Sequence, residues 1–179
     1  MRALTPLLVI ALVLPPSSRT VEGLDLVELR TLEAALFLAG PGLSAFPIEL
    51  ASSAPDGASP GVEGWIVSGA DGQAERIVIY TGSGIFRCAK WPHDGPLSRE
   101  CLVRLASVIV HEAWHFRYGR LETGAYGAQI MFLLENHAPG RQIAAVQTAR
   151  DRVAASTRRL DEAVKRTRDE PPGGRDRDR

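Results

Sequence analysis

An α+β fold is predicted for this chain: a small antiparallel sheet packed on a pair of helices, with a long C-terminal helix after them. Three observations predict it. Apolar residues recur at three- and four-residue steps through 24–39, 102–118, 121–136 and again beyond 140, the mark of amphipathic helices. Two short β-branched and aromatic runs, 65–67 and 76–80, lie between the first and second helices with turn residues between them. The chain shows no internal repeat, and residues 24–168 suffice for one compact domain.

In chain order, residues 1–23 come first. Met1-Arg2, the apolar run Ala3 to Leu14, and then Pro15-Pro16-Ser17-Ser18 have the layout of a signal peptide: charged start, apolar centre, polar end. The run is too short for a stable membrane span. Val21-Glu22-Gly23 supplies small residues for cleavage after Gly23, and the alternative is an uncleaved N-terminal anchor. Either role makes the rest of the chain extracytoplasmic, secreted or periplasmic.

Leu24 to Ala39 is the first helix, stopped by Gly40-Pro41-Gly42. Ala51 to Gly64 is rich in Ser, Pro, Gly and Asp and reads as a surface loop. Trp65-Ile66-Val67 and Arg76 to Tyr80 flank the turn residues Gly69-Ala70-Asp71-Gly72, which predicts a hairpin, and Ile85-Phe86-Arg87-Cys88 is expected to add a third strand. Such a sheet either offers an edge to an extended peptide or simply covers the helices. Export gives the two cysteines a use, because disulfides persist in oxidising compartments. Joining Cys88 to Cys101 closes a loop of about fourteen residues and contributes about 3 kcal/mol by the chain-entropy estimate.

Leu102 to Tyr118 is the second helix, with Ser98 as the expected N-cap, Glu100 in an acidic first turn and Gly119 as its stop. It carries the sequence His111-Glu112-Ala113-Trp114-His115. Two histidines four apart on a helix lie one turn above each other on one face, so both imidazoles reach one metal ion. The glutamate between them lies beside that ion, placed to take a proton from an attacking water. Either histidine alone would be an ordinary partly buried residue. The pair with Glu112 between them spells the HExxH pattern of zinc hydrolases and predicts bound Zn2+.

A catalytic zinc needs a third protein ligand, and two glutamates compete for the place. Both lie on the third helix, read from Leu121 to about Asn136, and thirteen positions at 1.5 Å per residue put Glu122 and Glu135 about 20 Å apart. Glu122 follows His115 by seven residues, with Gly119 to turn the chain and small Ala125 to keep the helices close, so Glu122 is the expected ligand. Its structural alternative is a solvated first-turn residue favoured by the helix dipole. Tyr126 shares its face and is expected to polarise a substrate carbonyl or to be a buried ring with a satisfied hydroxyl. Gln129 would support a ligand from behind. His93 and His137 read as loop residues. After Pro139-Gly140, the residues Ile143, Val146, Val153, Leu160 and Val164 mark a long helix with a thin apolar stripe, and residues 169–179 form a charged tail expected to be disordered.

With these residues in place, Val110 to Leu134 resembles a short gluzincin-type metallopeptidase, with HExxH on one helix and a glutamate-bearing helix returning across it. The run Glu122, Ala125, Tyr126, Gln129 and the following Phe132-Leu133-Leu134 are similar to the second helix of ImmA/IrrE-type and related predicted bacterial peptidases. The resemblance spans about 25 residues. It implies a zincin-like domain, Glu122 as third ligand and peptide-bond hydrolysis. Gly124, which weakens the start of that helix, departs from the pattern.

A formal net charge of zero argues against nucleic acid as a partner. The expectation is an exported zinc metallopeptidase acting on a peptide or protein substrate, with Glu112 as general base. Two other readings stand beside it: a non-catalytic binding or scaffold protein with a structural or vestigial zinc, and a zinc amidase acting on cell-wall material. Oligomeric state is left open by the sequence.

Overall fold

The structure, a computed structural model, describes residues 25–90, 92 and 95–169. The leader expected over 1–23, His93 and the tail from 170 onward lie outside the described residues. Among the described residues the fold is α+β, with five α-helices, a short 3-10 turn and a three-stranded sheet.

Helix α1, Leu26–Ala39, starts where the Asp25 side chain accepts a hydrogen bond from Val27 N and stops at Gly40, whose φ of 106° is glycine territory. The 3-10 turn Pro41–Leu43 then leads to β1, Ile48–Ala51, a strand that sequence reasoning did not foresee. The expected hairpin is present as β2, Gly64–Ser68, and β3, Ala74–Tyr80. The strand order is β1-β3-β2, with β2 antiparallel to β3 but β1 parallel to it, so the sheet is mixed and not antiparallel as expected. β3 is central, and its Ile77, Val78 and Ile79 are buried together. The strand at β3's far side therefore comes from upstream. The segment expected to be a strand, Ile85 to Cys88, instead lies within a helix, α2, Gly84–Ala89, because Ser83 caps it by accepting from Phe86 N at 3.1 Å.

The second expected helix is longer than its apolar pattern. α3 runs Pro96–Tyr118, with Gly95 at its N-cap and Pro96 at its first position, where fixed φ and a missing N–H cost nothing. Ser98 therefore sits inside the helix and not at its cap. α3 is the axis of the domain: α1, α2, α4 and strands β2 and β3 all pack on it, and Leu105, Ala106 and Ile109 are sealed from solvent. Truncating Leu105 or Ile109 to alanine would cost about 2–5 kcal/mol.

The disulfide is formed between Cys88 and Cys101, with the Cα atoms 5.7 Å apart, and it ties α2 to the first turns of α3. A disulfide of this kind belongs to a non-reducing environment. α4, Glu122–Glu135, doubles back across α3, and α5, Gly140–Asp169, packs its first half on α4. Arg141 and Gln142 anchor that half to Glu100 of α3. From Ser156 to Arg166 each α5 side chain is exposed. No described helix is long and apolar enough to cross a membrane.

Candidate metal centre

α3 ends at Tyr118 and α4 begins at Glu122, so three residues make the whole link. Gly119, at φ 83°, turns the chain, and its carbonyl accepts a hydrogen bond from His115 Nδ1 at 2.8 Å. A carbonyl only accepts, so Nδ1 carries the proton and the His115 Nε2 lone pair is left free for a ligand role. The α3–α4 approach is close because Trp114 lies over Gly124. A Cβ at that position would overlap the indole ring. Ala125 beside it is fully buried, as the sequence reading required. Gly124, read from sequence as a weakness of the helix, is what lets it seat.

The three expected ligands converge. Nε2 of His111 and Nε2 of His115 are 3.2 Å apart. The Glu122 carboxylate reaches both, Oε2 at 3.5 Å from His111 Nε2 and Oε1 at 3.4 Å from His115 Nε2. A tetrahedral zinc site with bonds of about 2.0–2.1 Å has ligand-to-ligand edges of about 3.3–3.4 Å. Taking one ligand atom from each residue, the donors all lie within 4.8 Å of one another, and His111, His115 and Glu122 could hold a metal ion together. Glu135 stands at the opposite end of α4 and does not join the group. His137 lies in the turn after α4 at φ 52°, a loop residue as read.

Behind the donors is a buried polar layer. Ser107 Oγ donates to Arg104 O at 2.6 Å and accepts from Gln129 Nε2 at 3.2 Å. His111 Nδ1 is buried beside this layer without a well-formed hydrogen bond, yet the Gln129 side chain is near enough to favour the protonated ring. Burial outweighs that contact and, with His115 close by, lowers the His111 pKa to about 4. The ring is therefore neutral at physiological pH, the form that binds metal. Tyr126 packs edge-on against His111, ring centroids 4.7 Å apart, with its own pKa raised by burial and by Glu122. It supports the imidazole but is not among the residues lining the cleft.

Glu112 does line it. The cleft, of about 440 Å³, runs between β2, the β2–β3 turn and the C-terminal end of α3, and holds His111, His115 and Glu122 as well. A hollow of about 460 Å³ between the 54–63 segment and Tyr80–Ile85 contains none of the donors, so the chemistry belongs to the former. β2 closes tightly on Glu112, since a Cβ on Gly64 would stand 3.3 Å from Glu112 Cγ. Burial first, then repulsion from Glu122 and Glu63, raise the Glu112 pKa to about 8. Glu63 is itself raised by burial, partly offset by Arg104, which it meets at 3.0 Å. A divalent ion at the donors would draw Glu112 back towards its ionised form.

Sequence reasoning missed Gly64, the packing of Gly124 on Trp114, the Gly119 carbonyl and the Glu63–Arg104 pair. Comparison with known proteins finds no matching protein family, curated sequence or solved structure.

Proposed function

We propose that this protein is an extracytoplasmic zinc-dependent metallopeptidase. The observation that carries the reading is the group of two imidazoles and one carboxylate, whose ligand atoms, one from each residue, lie within 4.8 Å of one another, beside a buried carboxyl group on an open cleft. Its composition is that of the gluzincin-type site the sequence resembles. Bound zinc would supply Lewis acidity and a water made acidic enough to react near neutral pH.

The chain's own residues do the rest. His111, His115 and Glu122 hold the ion, with His115 aimed by Gly119 and His111 backed by Tyr126 and the Gln129 amide. Glu112 takes the proton of the attacking water and returns it to the leaving amine, so that water adds across the C–N bond and an acid and an amine result. β2 has β3 on one side only, and its other edge faces the cleft, which suits main-chain pairing with an extended substrate.

The test is a peptide-library digest by zinc-loaded protein, repeated with Glu112→Gln. Cleavage is expected from the wild type, and about a hundredfold or greater loss from the variant at unchanged zinc content. Tight zinc without turnover of any peptide would favour the scaffold reading. Turnover of cell-wall amides alone would favour the amidase.

A further inference from the structure

The cleft that holds the donors has two basic residues on its wall, Arg117 and Arg120. Neither makes an ion pair among the described residues. Arg117 is placed by other means: its guanidinium lies over the Phe46 ring, 4.9 Å from the centroid, and Phe46 is itself braced edge-on by Phe116 at 5.0 Å. Stacking occupies the face of a guanidinium and leaves its in-plane N–H donors free, the geometry that grips a carboxylate with two parallel bonds. Arg120 comes from the α3–α4 link, one residue after the glycine that aims His115 and two before the Glu122 ligand. With zinc bound, two arginines and a divalent cation outweigh the carboxylates of Glu112 and Glu122, so the loaded cleft carries a positive field that favours an anionic ligand.

From this arrangement we propose that the site selects substrates bearing a carboxylate close to the bond that is cut, held by Arg117 and Arg120. The inference rests on the hydrolase reading above and names its substrate class. The carboxylate comes either from the free C-terminus of a peptide or from an acidic side chain, and the same two arginines serve both. The cleft's basic wall is then a specificity device, and the catalytic groups remain as assigned.

The test uses the full zinc-loaded chain and matched peptides that differ in one group: a C-terminal acid against its amide, and an internal Glu against Gln. A preference for the charged member of either pair by about tenfold in kcat/KM is expected, and which pair shows it identifies the source. The ratio should collapse towards one in the Arg117→Ala/Arg120→Ala double variant and survive in Arg158→Ala, which lies on the exposed part of α5. Equal turnover of both pairs, or a ratio that survives the double variant, overturns the proposal.

A second measurement separates it from the peptidase reading. Two hydroxamates, one with a carboxylate arm and one with a carboxamide arm, are titrated calorimetrically into zinc-loaded Glu112→Gln. About tenfold tighter binding of the carboxylate, lost in the double variant, supports the anion site even where no peptide is cut. Equal Kd values refute it, and failure of both to bind overturns the metal site and the inference together.

Discussion

The two ends of α3 are held by opposite strategies. Its first turns are fixed by a covalent bond to α2, and its middle by the fully buried Leu105, Ala106 and Ile109. Its last two turns carry His111, Glu112 and His115 against a carboxylate, a polar layer and a cleft. One end gains stability by removing apolar surface and chain entropy. The other keeps polar groups out of water with some of their partners missing, at a cost in stability. The helix spans both because a rigid rod anchored at one end presents groups accurately at the other, where burial alone would have neutralised or paired them.

The largest expected effect breaks the site end alone. Glu122→Ala leaves two histidines, and zinc affinity measured by competition with a chelating dye should fall by more than about a hundredfold, whereas Glu135→Ala should change it little. The reverse order would move the third ligand to the far end of α4. Next comes the scaffold end. Replacing both cysteines by serine should lower unfolding free energy by about 3 kcal/mol, read from urea denaturation, while the protein that remains folded binds zinc as before. Zinc affinity that falls with the disulfide would show that the two ends are not separable.

A third prediction uses the titration of the metal-free site. The folded protein keeps the Glu112 proton up to about 8, where the unfolded chain releases it near 4.5, so this group's contribution weakens as pH rises between those values. His111 acts oppositely: its folded value of about 4 lies below the ordinary 6.5, so stability is gained as pH rises through that interval. The two offset each other between about 4.5 and 6.5. From 6.5 to 8 the Glu112 contribution is no longer offset by His111, and it should lower metal-free stability by at most about 2 kcal/mol. Urea midpoints across that window should decline in the wild type and stay level in Glu112→Gln. A level wild type would mean that Glu112 is already ionised without metal.

The smallest effect concerns the polar layer. Gln129→Leu keeps the volume and removes the amide near His111, so zinc affinity should drop by about tenfold with little change in the urea midpoint. An unchanged affinity would make Gln129 a purely structural residue.

What could be read in advance follows from which interactions are local. The helices announce themselves through three- and four-residue periodicity, and the i, i+4 histidines through one helical turn, so α1, α3, α4, the donors and the disulfide were legible. β1 was not, since four residues at Ile48–Ala51 are too few to show alternation and their parallel partner lies some thirty positions on. Ile85 to Cys88 has the composition of a strand, but Ser83, just outside it, decides the matter through a cap. Gly64 and Gly124 matter only for what packs on them, Glu112 and Trp114, and nothing near either glycine in the chain reveals that.

Two donors ride on α3 and the third on α4, and only Gly119-Arg120-Leu121 joins the two helices. Separation of α4's first turn from α3, against the Trp114–Gly124 contact, is therefore one motion that takes the third donor away from a captured ion. Exchange of metal with solution then reports in part on that motion. Its rate should respond to changes at the indole, which packs on Gly124 and edge-on against the His115 ring, while substitutions along the exposed half of α5 leave it unmoved.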